Sequence, residues 1–272
     1  MVTRREFLQH GVLATSGLAA GKLLVDAFTP MASHAAQVEP NDPGLTSSEI
    51  KYASTDGTAI SAYITRPKGN EAHPAVLVVH EWDGIKEQIR DVARRLAKAG
   101  YVALAPDLLS RYGGTSSFST AEAAIAAGRK LDDDMITKDL TGGVNYLKGQ
   151  SFVRANRIGV IGFCWGGGKA LLFTTRSKDL SASVIYYGSN PSNLEDVKNI
   201  SAPVLGQYGG ADERITSGVP KLAEAMKKYG KSFEYKIYPG APHGFNSDTS
   251  QEDAAKEAWG RTLQFFKTHL QS

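Results

Sequence analysis

The sequence predicts an α/β protein with a mainly parallel central sheet and helices on both faces. Three observations carry that expectation: strand-like and helix-like segments alternate along the chain, several strands are continuous β-branched runs, and the segments between them place apolar residues at helical spacing. The alternation also implies right-handed crossovers. The 272 residues are 42% apolar and 22% charged, a globular composition that excludes disordered, collagen-like and disulfide-stapled chains. That length leaves one or two domains open, though α/β proteins often use it for one, and no composition break cuts off a second. Thirty-one Lys and Arg against 28 Asp and Glu give +3, with no basic run interleaved with aromatics, which argues against nucleic acid or an anionic membrane as partner. A single cysteine forbids an intramolecular disulfide.

Taken in order, Ile50 to Ala53 and Ala59 to Thr65 read as an antiparallel hairpin around the turn Asp56-Gly57. Pro74 opens the run Ala75 to Val79, which suits a strand buried on both faces. Ile89, Val92, Ala93 and Leu96 then fall at helical spacing until Gly100 stops the helix before a strand over Tyr101 to Ala105. One helical stretch from Ala121 to about Leu147 leads to the strand Arg157 to Gly162, a helix from Gly166 and the strand Ser183 to Tyr187. The strand Val204 to Tyr208, a helix over Pro220 to Tyr229, the strand Phe233 to Tyr238 and a last helix from Glu252 to His269 complete the pattern.

Upstream of this, Thr3-Arg4-Arg5-Glu6-Phe7-Leu8 leads into a small, apolar stretch and then Ala32-Ser33-His34-Ala35-Ala36. The segment resembles a twin-arginine signal peptide, with a basic start, an apolar middle and a small-residue end. The resemblance implies removal of residues 1–35, a linker over 36–48, a single domain over 49–272, contact with the twin-arginine export machinery, and a periplasmic or secreted product. Lys22 interrupts the apolar run, which is too short for a stable membrane span.

Gly162-Phe163-Cys164-Trp165-Gly166 stands where a buried strand turns into a helix. Glycines at both ends of such a pentapeptide relieve crowding in a tight turn and lift the middle side chain above the sheet, the nucleophile-elbow pattern with Cys164 in the nucleophile position. The Trp165 backbone N–H then lies at a helix N-terminus, where it can stabilise an oxyanion. Asp212 follows the strand ending at Tyr208, and His243 follows the strand ending at Tyr238, so both lie at the sheet edge where open α/β folds place ligands. The order Cys164, Asp212, His243 is nucleophile, acid, histidine. Read alone, Asp212 also suits a helix cap and His243 a loop histidine. His80 and Glu81 are adjacent, but zinc needs three or four converging ligands and no HExxH or CxxC is present, so no metal is expected. No dinucleotide or Walker spacing is present either, and no cofactor is expected.

Val79-His80-Glu81-Trp82-Asp83-Gly84, together with Gly-Phe-Cys-Trp-Gly-Gly-Gly and Pro-His-Gly-Phe, makes the chain resemble the dienelactone hydrolase family of α/β-hydrolases from about residue 48 to 270. The resemblance implies that Glu81 hydrogen-bonds the resting thiol and is released to accept its proton when substrate binds. It also implies an oxyanion hole formed by the backbone N–H groups of Trp82 and Trp165. Family enzymes that open dienelactone hold the substrate carboxylate with two arginines. Arg111 matches the first, whereas the position of the second, four residues after the histidine, is Ser247.

The function implied is hydrolysis of a small carboxylic ester or lactone through a Cys164–Asp212–His243 triad and an acyl-cysteine. Thioester or amide hydrolysis, and a non-catalytic binding protein on a hydrolase scaffold, stay open. Substrate identity and oligomeric state are not legible in the sequence.

Overall fold

A computed structural model describes residues 37–247 and 249–271; the signal-peptide reading falls on residues 1–36 and lies outside them. Eight strands form one sheet: β1 (Leu45–Ala53), β2 (Ala59–Pro67), β3 (His73–Val79), β4 (Val102–Pro106), β5 (Val153–Phe163), β6 (Ala182–Tyr186), β7 (Val204–Gly209) and β8 (Phe233–Tyr238). Their order is β1-β2-β4-β3-β5-β6-β7-β8, antiparallel at β1/β2 and β2/β4 and parallel from β4 onward. The alternating pattern implied this mainly parallel sheet covered on both faces, and the family resemblance implied its α/β-hydrolase form.

The helices are α1 (Glu87–Lys98), α2 (Ala121–Gly128), α3 (Asp133–Lys148), α4 (Trp165–Arg176), the single turn α5 (Glu213–Thr216), α6 (Val219–Lys228) and α7 (Glu252–Phe266). Ile89, Val92 and Leu96 of α1 join Phe265 and Phe266 of α7 on one face of the sheet. Ile136, Leu140 and Val144 of α3 join Leu171 of α4 and Leu222 and Met226 of α6 on the other. The central strands are buried on both faces: Val76 and Val78 point into the first core, Leu77 and Val79 into the second. This is why that run carries no polar alternation.

Three of the differences from the sequence expectation change an element or its connection. The single helix read from Ala121 to Leu147 is two, because the Asp132 carboxylate caps a new start by accepting from the Met135 N–H at 2.7 Å, and Asp133 and Asp134 follow in the first turn. The stretch read as a linker is partly built into the domain. Val38 donates its N–H to Asp91 at 2.8 Å, its carbonyl accepts from Arg94 Nε at 2.6 Å, and β1 begins at Leu45. The last α-helix stops at Phe266, and Lys267–Gln271 widen into a π turn.

After β3 the chain moves outward to β4, then returns across β3 to β5. The connections leaving the C-terminal ends of β3 and β5 therefore diverge to opposite faces of the sheet, which makes this the switch point at which doubly wound sheets hold ligands.

Candidate active site

Glu81 and Trp82 leave the end of β3, Cys164 leaves β5, Asp212 leaves β7, and His243 follows β8. Cys164 has φ 55° and ψ −122°, a conformation L-residues rarely adopt, and it precedes α4 directly. The flanking glycines have a measurable reason. A Cβ on Gly162 meets the Gly166 carbonyl at 2.1 Å, and one on Gly166 meets the His80 carbonyl at 2.2 Å. The elbow thus sits against the end of β3 with no room for any side chain at either position.

His243 Nδ1 lies 2.5 Å from Asp212 Oδ2, and Asp212 is buried. The carboxylate accepts from Nδ1–H, which leaves the other ring nitrogen, Nε2, bare. Among the described residues Nε2 is buried with no hydrogen-bond partner. The Cys164 thiol is pushed up to about 12, first by burial and then by the Glu81 charge; the Trp165 N–H and the Arg214 charge act the other way. Burial, helped by Asp83, raises the Glu81 carboxyl to about 7. Trp82 and Trp165 stack with centroids 4.9 Å apart beside the thiol loop. The Trp82 N–H has no acceptor among the described residues, while that of Trp165 faces the thiol.

Two expectations are corrected. No hydrogen bond joins Glu81 to Cys164; the pair interacts through charge alone. Arg111 is committed to other partners. Its Nε and Nη2 bind both oxygens of the fully buried Asp139 at 3.0 and 2.7 Å, Nη2 also meets Asp56 at 2.7 Å, and Nη1 meets Thr58 at 3.1 Å. Two carboxylates already neutralise this guanidinium, so it holds α3 and the β1–β2 turn together rather than facing substrate. Ser247 is buried as well, accepting from Gln88 Nε2 at 2.9 Å and donating to the Gly244 carbonyl.

Sequence reasoning missed Tyr187 and Arg214. Tyr187 has φ 38° and is fully buried, with its ring centroid 4.9 Å from that of His243. No sequence signal announces a strained tyrosine. Arg214, two residues after Asp212, is exposed and makes no ion pair among the described residues, yet its charge is felt at the thiol. Among those residues no group of three or more His, Cys, Asp or Glu is arranged to hold a metal, and no helix is long and apolar enough to cross a membrane.

The raised Glu81 carboxyl has a measurable consequence. Its ordinary value is 4.5 and its folded value about 7, so its contribution to stability is present below about 4.5 and lost as pH rises through about 7. Glu81→Gln, neutral throughout, gains on wild type as pH rises: the Tm difference widens by roughly 5 °C between about pH 5 and pH 8. A difference that stays flat in calorimetry over that range rules out a desolvated carboxyl.

The model of the dienelactone hydrolase family matches residues 60–270. A "Putative carboxymethylenebutenolidase" of Methylorubrum extorquens is 35% identical over 272 residues, covering 95% of this chain and 92% of its own. A "Probable 2-oxo-3-(5-oxofuran-2-ylidene)propanoate lactonase" of Bradyrhizobium is 37% identical, covering 79% and 92%. Among solved structures, a "Putative Dienelactone Hydrolase" from Klebsiella pneumoniae superposes with a TM-score of 0.74 at 31% identity, covering 82% of this chain and 98% of its own. With the α/β-hydrolase sheet, the elbow and these matches together, the chain belongs to the dienelactone hydrolase family.

Proposed function

We propose that this protein hydrolyses a small carboxylic ester or lactone through an acyl-cysteine at Cys164. One observation carries the reading: a cysteine held at positive φ on a strand-to-helix elbow, at the same sheet edge as a histidine whose Nδ1 is bound by a buried aspartate and whose Nε2 has no partner. Sγ attacks the substrate carbonyl carbon as His243 Nε2 takes the thiol proton. The carbonyl oxygen gains the negative charge and is held by the N–H groups of Trp82 and Trp165. Collapse expels the alkoxide, which receives the proton from His243. Water, deprotonated by the same Nε2, then cleaves the thioester to acid and restores the thiol. Burial, helped by the Glu81 charge, keeps the thiol neutral at rest, and proton transfer awaits substrate. A lactone is favoured within this class by the kinship to the Bradyrhizobium lactonase.

The test is a burst of one equivalent of p-nitrophenol from p-nitrophenyl acetate, with a 42 Da acetyl adduct on the peptide containing Cys164; no burst and no adduct sinks the reading in favour of a binding protein. A second expectation follows from the thiol at about 12. Iodoacetamide labels the folded resting protein slowly at neutral pH, and the rate climbs about tenfold per pH unit up to pH 9. A plateau below pH 8 shows instead a thiol already ionised.

We propose further that residues 1–35 direct export by the twin-arginine route, on the strength of Arg4-Arg5-Glu6-Phe7-Leu8 and the small residues ending at Ala35. Replacing Arg4 and Arg5 by Lys leaves the precursor in the cytoplasm with its activity unaltered; normal appearance of the double variant in the periplasmic fraction overturns the route.

A further inference from the structure

His80 directly follows β3 as a fully buried side chain one residue before Glu81. Its Nδ1 lies 2.5 Å from the Glu81 carbonyl oxygen, and its Nε2 lies 3.0 Å from the Leu108 backbone nitrogen. A carbonyl accepts only and an N–H donates only, so the two contacts define one neutral tautomer, with the proton on Nδ1 and Nε2 bare. Both nitrogens are therefore engaged, and neither is free for a metal. The ring also packs against that of Trp165, with centroids 5.8 Å apart. Burial pushes the imidazole below its ordinary range, against the charges of Asp107 and Asp83 and the Glu81 carbonyl contact, which act the other way.

The carbonyl that His80 holds belongs to the same peptide unit as the Trp82 N–H. A trans peptide is planar, with its C=O and N–H pointing to opposite edges. Pinning the Glu81 oxygen on one edge therefore aims the Trp82 N–H from the other. The same oxygen also accepts from the Gly84 N–H at 3.3 Å, so the peptide is held from two directions, and Trp82 N–H keeps no acceptor of its own among the described residues. A hydrogen bond to the carbonyl further polarises the unit and strengthens the opposite N–H as a donor. Through Leu108 the same imidazole ties this loop to the segment after β4.

We propose that His80 is a positioning residue for the oxyanion hole: in its Nδ1–H tautomer it locks the Glu81–Trp82 peptide so that the Trp82 N–H faces the developing negative charge. The inference rests on the acyl-cysteine reading above. An N–H donor misaimed in the ground state costs turnover rather than substrate binding, because its hydrogen bond is made to the oxyanion and not to the alcohol or acyl groups.

His80→Phe keeps the ring and the contact with Trp165 while removing both hydrogen bonds; His80→Gln offers an amide donor and acceptor in their place. With p-nitrophenyl acetate, His80→Phe is expected to lower kcat about 30- to 100-fold with KM within about threefold, and His80→Gln to recover kcat to within about fivefold of wild type. Equal losses in both variants, or a loss confined to KM, overturn the positioning role. A wild-type protein without Cys164-dependent turnover overturns the underlying reaction, and this inference with it. Unchanged kcat in His80→Phe, with Cys164-dependent turnover intact in wild type, overturns this inference alone. Should the Phe variant fail to fold, long-range nitrogen–proton NMR of the full wild-type chain decides: the His80 ring stays a single Nδ1–H tautomer from about pH 5.5 to 8.5, whereas a titrating ring or an Nε2–H tautomer refutes the anchor.

Discussion

Cys164→Ala is expected to lower kcat/KM for p-nitrophenyl acetate by about 10⁴-fold or more while leaving the fold intact. Removing the nucleophile of a concerted site costs about as much as removing its partners too, and what remains is binding and oxyanion stabilisation. The same position separates activity from stability. Cys164 stands at φ 55° and ψ −122°, a conformation that costs a side-chain-bearing residue on the order of 1–3 kcal/mol and glycine far less. Cys164→Gly should therefore be as inactive as Cys164→Ala yet unfold about 2–6 °C higher. An alanine variant retaining more than about a hundredth of wild-type turnover points to another nucleophile. A glycine variant that melts below the alanine one shows that the elbow is not strained.

Arg111→Met should destabilise the protein severely rather than change what it hydrolyses. Asp139 is fully buried, and the Arg111 guanidinium binds both of its oxygens. Removing the cation leaves an uncompensated interior carboxylate, at a cost of about 3–5 kcal/mol. That corresponds to a Tm lower by roughly 10 °C. Arg111→Met combined with Asp139→Asn should regain part of the loss, since the second change removes the stranded charge. The ratio of kcat/KM for a carboxylated lactone to that for its methyl ester should be unchanged in Arg111→Met, provided the assay is run well below the lowered Tm. An unaltered Tm with selective loss of the anionic lactone restores Arg111 to the role of a substrate clamp.

The two arginine positions show where sequence reasoning runs out. Pro106-Asp107-Leu108-Leu109-Ser110-Arg111 has the family pattern, but where a guanidinium points depends on the carboxylates in reach. Asp56 comes from the β1–β2 turn and Asp139 from the middle of α3, and nothing in the local pattern brings either to Arg111. The same holds for Ser247, which meets Gln88 across 159 residues of chain. Tyr187 was invisible because backbone strain at a tyrosine leaves no mark in composition or periodicity. His80 was legible as a histidine beside a glutamate, but its partner Leu108 belongs to another connection, so nothing in the local pattern announced a peptide anchor.

By itself the sequence determined what local chemistry dictates. Runs such as Ala75 to Val79 and the spacing of Ile89, Val92 and Leu96 specify strands buried on both faces and a one-sided helix, because burial has a period that neighbouring residues share. Gly162 and Gly166 around Cys164 announce a turn that no side chain permits, and their reason, contact with backbone at 2.1 and 2.2 Å, is steric and local to the strand ends. Only the tertiary structure decided which charged and polar groups meet: that Asp212 takes His243, that Asp139 takes Arg111, and that the thiol and Glu81 interact without a hydrogen bond. Such pairings depend on the order in which β3, β5, β7 and β8 lie side by side, and on distances of a few ångströms between segments far apart in the chain. Hydrophobic periodicity carries no information on either.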